Sequence, residues 1–107
     1  MAETLTGRED HNISLALAAE YTANYRRTIS PDEKKGGYFG KDALLELLNQ
    51  EGCVGFRYYY GIDEKGKKVL VLVGVNSEAN DLVDGRLLER SWPCPHCCSV
   101  DNPLNSD

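Results

Sequence analysis

Apolar residues recur every four positions at Ile13, Leu17, Tyr21 and Tyr25, a spacing that lines one side of an α-helix. Asn12 is a suitable N-cap, and the pattern predicts a helix of about four turns ending near Arg27, its stripe facing a core. Alanines at 16, 18, 19 and 23 favour the helix and, being small, would let a neighbour approach closely. Ser30–Gly37, with Pro31 and paired glycines, reads as a polar surface loop. Lys41–Gln50 then predicts a short amphipathic helix with Leu44, Leu45, Leu47 and Leu48 inward and Gly52 closing its C-terminus. Tyr38 and Phe39 precede it and are expected to pack on the same core.

At Cys53 the period changes to two. Val54, Phe56, Tyr58, Tyr60 and Ile62 share one face of a strand, and Cys53, Gly55, Arg57, Tyr59 and Gly61 the other. Asp63-Glu64-Lys65-Gly66 is a hairpin turn with glycine where a positive φ is needed, and Lys67–Val75 is the returning strand. Val69, Val71, Val73 and Val75 lie on one of its faces and Leu70 and Leu72 on the other, the pattern of a strand covered on both sides. A two-stranded hairpin is marginal alone and leaves both edges unpaired. The two helices can cover one face, Arg86–Arg90 can add a third strand, and a second copy of the chain can supply the rest, so a homo-oligomer is expected. Asn80–Gly85 reads as a turn-rich connection and Val100–Asp107 as an irregular tail.

The fold class is therefore α+β: two N-terminal helices, an antiparallel β-hairpin with a short third strand, and an irregular Cys-containing tail. Its parts are a flexible arm over 1–11, one domain over 12–92 and the tail over 93–107. A chain of 107 residues suits a single modest core. Twelve basic residues against seventeen acidic give a net charge of −5, which argues against a phosphate backbone as partner, and hence against nucleic acid. Met1–Asp10 has neither the basic start nor the apolar core of a secretory signal, and the apolar run Val69–Val75 is too short to span a bilayer. The expectation is a cytoplasmic protein without a membrane partner, non-classical export remaining an alternative.

Three of the four cysteines lie in Ser91-Trp92-Pro93-Cys94-Pro95-His96-Cys97-Cys98-Ser99. Cys-Pro-His-Cys matches the dithiol motif of thioredoxin-fold oxidases, but those enzymes open a long helix with it, and here few residues follow before Pro103. Cys-Pro-x-Cys also matches half of a zinc ribbon. A zinc site would take Cys53, Cys94 and Cys97, with Cys98 or His96 as fourth ligand, although no second Cys-x-x-Cys exists. The plainer reading has no cofactor: Cys53 is a small buried hydrophobe, and in an exported chain Cys94 would pair with Cys97 or Cys98 as a disulfide.

Other chemistries close quickly. Neither His11 nor His96 accompanies a Gly-x-Ser-x-Gly elbow, Lys34 and Lys35 precede their glycines and so do not form a phosphate-binding loop, and Asp63, Glu64, Asp81 and Asp84 read as solvated turn residues. Arg57 is the charge of interest, placed to stack on Tyr59 or to pair with an acid. Arg57, Tyr59, Leu70 and Leu72 are the candidate interaction residues, and the aromatic strand Tyr58-Tyr59-Tyr60 is a candidate wall for a small-molecule pocket.

Tyr38-Phe39-Gly40-Lys41-Asp42, Gly52–Glu64, Leu70–Val75, Pro93-Cys94-Pro95 with Cys97, and Asn102-Pro103-Leu104 together resemble a family of small uncharacterised proteins of Bacteroidota, over most of residues 12–107. The resemblance implies no activity, cofactor or catalytic residue. It implies that Cys94 and Cys97 belong to the shared pattern and that His96 and Cys98 are particular to this chain, leaving Cys53, Cys94 and Cys97 as candidates for a common role. The function expected is a non-catalytic protein-interaction or self-assembly module. The alternatives are a small thiol or structural-zinc protein and a small-molecule binder.

Overall fold

The computed structural model describes residues 4–107. In chain order its elements are α1 (Leu15–Arg26), β1 (Gly36–Tyr38), α2 (Lys41–Leu48), β2 (Cys53–Ile62), β3 (Lys68–Asn76), β4 (Leu87–Leu88) and β5 (Trp92–Cys94). Two helices and wholly antiparallel sheets make this an α+β protein. It divides into two compact units, one combining the stretch that ends at Glu9 with Phe39–Ser91, the other combining Asp10–Tyr38 with Trp92–Asp107.

The first unit holds a three-stranded sheet in the order β2-β3-β4. The expected hairpin forms with Ile62 opposite Lys68 and Arg57 opposite Val73. Its turn is closed by Asp63, whose Oδ1 accepts the N–H groups of Lys65 and Lys67 at 2.9 Å, while Gly66 adopts φ 77°. The third strand forms as Leu87 and Leu88 pair with Val73 and Leu72. One β-bulge interrupts the register between Cys53 and Gly55. The extra residue reverses the alternation there, so that Cys53 Sγ lies 3.1 Å from where a Cβ on Gly74 would stand, on the face of Phe56 and Tyr58 instead of the face of Arg57.

The buried core residues of this unit are Leu47 of α2 and Leu72, Val73 and Val75 of β3, Leu72 lying on one face of the strand and the two valines on the other. α2 packs on β2, β3 and β4, and Leu47 is its fully buried side chain, whereas Leu45 and Leu48 remain exposed. A helix of eight residues resting on a narrow sheet turns only a limited arc inward, and the expected set of four leucines is wider than that arc. β3 is likewise buried only toward its C-terminal end, where β4 and α2 reach it; Leu70, near the hairpin tip, is exposed. The segment before Glu9 belongs to this unit: Leu5 N–H donates to the Ser77 carbonyl at 2.8 Å, and a Cβ on Gly7 would stand 2.7 Å from Val54 O.

In the second unit, α1 starts two residues later than expected. Ser14 is the N-cap, its Oγ accepting from Leu17 N–H at 3.1 Å, because Asn12 is engaged with Asp10 through both its backbone and its side-chain N–H. The stripe of Ile13, Leu17, Tyr21 and Tyr25 is exposed. The half-buried positions are Ala18, Ala19, Thr22, Ala23 and Arg26. Against this small-residue side the C-terminal segment is tied by Arg26, which donates to Leu104 O at 2.8 Å and to Asp107 Oδ1 at 2.6 Å. The stretch read as a glycine loop supplies β1, which pairs with β5 so that Gly36 faces Cys94 and Tyr38 faces Trp92. Pro93 is tolerated because the pair is a two-stranded ribbon with open edges, and the Tyr38 and Trp92 rings meet tilted by 48°, their centroids 5.9 Å apart.

Replacing Leu47 by Ala, which empties the one fully buried side chain among the described residues, is expected to cost about 2–5 kcal/mol. Urea unfolding followed by circular dichroism measures this, and the same change at exposed Leu45 should cost far less.

Candidate functional site

Arg57 and Tyr59 stand two residues apart on β2 and therefore on the same face. The loop after β3 brings Asp81 to them. Asn76 Oδ1 accepts the N–H groups of Glu78 and Asn80 at 3.0 Å, Ala79 takes the left-handed conformation at φ 68°, and Asp81 then bridges Val75. Its two carboxylate oxygens are both used: Arg57 Nη1 donates to Oδ1, and the Tyr59 hydroxyl donates to Oδ2 at 2.5 Å. The Tyr59 hydrogen bond, followed by the Arg57 guanidinium, holds the Asp81 carboxyl below its ordinary range. The same bonds raise the pKa of the Tyr59 hydroxyl and of Arg57. With its charge matched and its oxygens occupied, this cluster is a brace across the sheet and presents no nucleophile beside a base.

Arg57 thus takes the second of its two expected options, pairing with an acid. The acid was hidden because Asp81 lies 24 positions away in a loop that reads as solvated. An arginine projecting from a strand among aromatics is a signal that some carboxylate must meet it; the sequence does not say which.

The opposite face of the hairpin is different in kind. Phe56, Tyr58, Tyr60 and Ile62 of β2 share it with Leu70, Leu72 and Gly74 of β3. α2 and β4 reach only the Leu72–Gly74 end, where Leu72 is 3% exposed and belongs to the core. Toward the tip, Tyr58, Tyr60 and Ile62 are 52%, 72% and 78% exposed. The Tyr58 and Tyr60 rings meet edge to face at 5.6 Å. β2 is also an end strand of its sheet, so an aromatic face and an open backbone edge coincide.

The cysteines fall into different settings. Cys94 and Cys98 form a disulfide with Cα atoms 4.8 Å apart, closing a loop that contains exposed His96 and Cys97. Cys53 is half-buried in β2, its S–H directed to Gly55 O at 3.1 Å. Among the described residues no three His, Cys, Asp or Glu side chains gather as a metal site, and no helix is long and apolar enough to cross a membrane. Two shallow depressions lie in the second unit. The smaller, about 280 Å³, is lined by Arg26, Pro31, Lys35 and Asn105 among others; its cations are already spent on the C-terminal segment, Lys35 Nζ donating to Asn105 O at 2.8 Å. Neither depression includes Tyr58, Tyr59 or Tyr60. No family model, curated protein or solved structure matches the chain, so the functional reading rests on this geometry.

A carboxyl whose folded pKa is depressed contributes stability at pH values above the unfolded value of about 3.9, and that contribution disappears as pH falls through the lower folded value. Asp81→Asn should therefore lower stability at neutral pH and flatten the acid side of the pH–stability curve, measured by urea unfolding across the carboxylate range. For the cysteines, thiol titration of the oxidised protein should count two reactive groups, Cys97 fast and Cys53 slow, rising to four only after reduction. Four without reduction would remove the disulfide from the account.

Proposed function

We propose that this chain is a non-catalytic self-assembly module whose contact surface is the exposed aromatic face of the hairpin. The observation that carries the reading is that Phe56, Tyr58, Tyr60, Ile62 and Leu70 stand together on one sheet face and are all exposed. Exposed apolar residues scattered singly are ordinary, but a contiguous group of aromatic and aliphatic side chains is the composition of a protein contact. Tyrosine suits such a surface, offering large area with few rotatable bonds and a polar tip that tolerates water when the partner is absent. The exposed stripe of Leu17, Tyr21 and Tyr25 on α1 adds a second surface of the same character. Neither the brace around Asp81 nor the cysteine loop assembles an acid, a base and a nucleophile, and the reading asks for none.

A second reading, a thiol protein acting through its tail, draws on exposed Cys97 inside the loop closed by Cys94 and Cys98. Zinc held by Cys53, Cys94 and Cys97 would first require that disulfide to open. Blocking Cys97 with iodoacetamide separates the two, since it should leave self-association untouched.

Light scattering tests the main reading. The native protein should have a mass that is a multiple of 11.9 kDa, and Tyr60→Lys, at a side chain that contributes little to the core, should return it to a single chain with an unchanged circular dichroism spectrum. A native protein that remains a single chain at its highest soluble concentration overturns the proposal.

A further inference from the structure

The free edge of β2 is self-complementary, and the geometry points to a two-fold antiparallel pairing of β2 with β2 of a second copy, centred on Tyr59, that continues the sheet across both chains. The inference rests on the self-assembly reading and adds to the aromatic face a backbone contact along the neighbouring edge, with a defined register, that joins the faces of the two copies side by side. Its first support is the phase of the backbone. Asp63 N–H donates to Lys67 O at 2.9 Å, and the pairs that follow run Gly61 with Val69, Tyr59 with Val71 and Arg57 with Val73. In an antiparallel pair the exchanging residues alternate, so these odd-numbered residues turn their N–H and C=O groups toward β3. Gly74, of the opposite phase in β3, accordingly uses its carbonyl on the far side, accepting from Leu82 N–H at 2.8 Å. Phe56, Tyr58, Tyr60 and Ile62 therefore direct their backbone groups to the open edge.

The second support is where that edge stops. Gly7 lies against the Val54 carbonyl, which closes the edge on that side and leaves Phe56–Ile62, whose midpoint is Tyr59. A two-fold axis there sets Phe56 opposite Ile62 of the second copy and Tyr58 opposite Tyr60, using every outward-facing residue. It also sets Arg57 opposite Gly61, where no side chain competes. Moving the axis to Tyr58 drives Ile62 onto Val54 and Gly7; moving it to Arg57 sets guanidinium against guanidinium, which is destabilising.

Charge supplies the third support. Arg57 is the single charged residue of β2, and Asp81 neutralises it, so two copies of an acidic chain can approach along this edge without local repulsion. The strand has none of the prolines or lysines that usually blunt an edge. Antiparallel pairing also brings Arg8, next to Gly7 at one end, alongside the Asp63-Glu64 turn of the second copy at the other.

Non-exchanging antiparallel pairs place Cα atoms about 4.5 Å apart, within disulfide reach. Tyr59→Cys should therefore oxidise to a covalent dimer in which peptide mapping finds residue 59 joined to residue 59, whereas Tyr60→Cys, offset by two residues from its own copy, should not. As a check that leaves the strand intact, Arg8→Glu should weaken the dimer by about two- to five-fold, and adding Glu64→Arg to the same chain should restore it. A monomeric native protein overturns both this pairing and the self-assembly reading. A native oligomer with no 59–59 bridge and no recovery in the double charge exchange overturns the pairing alone.

Discussion

Gln50 holds three pieces of the first unit together. Its Nε2 donates back to Leu47 O in α2 at 2.8 Å, and its Oε1 accepts from Arg86 N–H, immediately before β4, at 2.9 Å. Two glycines make room for it. A Cβ on Gly74 would stand 2.8 Å from Nε2, and one on Gly85 would run into Oε1. The amide thus fixes how α2 sits over β3 and where the chain turns to form β4, and the burial of Leu47 follows from that placement. A half-buried amide with one end unpaired costs about 1–3 kcal/mol, so each end of Gln50 constrains the position of the other.

The hairpin was readable because strand alternation is a local property: Val54 to Ile62 and Lys67 to Val75 announce their period without help from anything distant, and Gly66 marks the turn. The third strand at Leu87 and Leu88 was readable for the related reason that β3 has no polar residue between Lys68 and Asn76 and so needs a neighbour. The face of Cys53 was not, since a bulge leaves no mark in composition yet reverses one residue's side. The pattern predicts the helix α1 but not the side it turns inward, because apolar periodicity reports which residues would profit from burial and not what is present to bury them. A hydrogen-bonding C-terminal segment lies closer to alanines than to tyrosines. β1 and β5 escaped for want of any periodic signal in Gly36-Gly37-Tyr38 or Trp92-Pro93-Cys94; backbone pairing between distant segments made them, not side-chain pattern.

The two faces of the hairpin divide the work of the sheet. On one, Asp81 spends both oxygens on Arg57 and Tyr59, locking a loop to the strand and cancelling the strand's only charge. On the other, the aromatic row is left uncovered beyond the reach of α2. In the proposed assembly the first arrangement serves the second. An uncompensated arginine on an end strand would repel its own copy, while a neutralised one leaves backbone hydrogen bonding and apolar contact to decide what docks. The candidate interaction residues therefore separate by role: Arg57 and Tyr59 stiffen the strand, Leu72 belongs to the core, and Leu70 joins the exposed row.

The ribbon of β1 and β5 sets an order of events. Its strands are register partners, Tyr38 with Trp92, yet the whole of Phe39–Ser91 lies between them in the chain. During synthesis, at roughly 5–20 residues per second, β1 leaves the ribosome with no partner and waits for several seconds' worth of chain. Closing so long a loop is entropically slow unless the intervening segment has already contracted into its own fold. The hairpin and α2 are built from contacts between near neighbours in sequence, and their early formation would shorten the path the two ribbon strands must search. Completion of the second unit is in this sense a report that the first has folded.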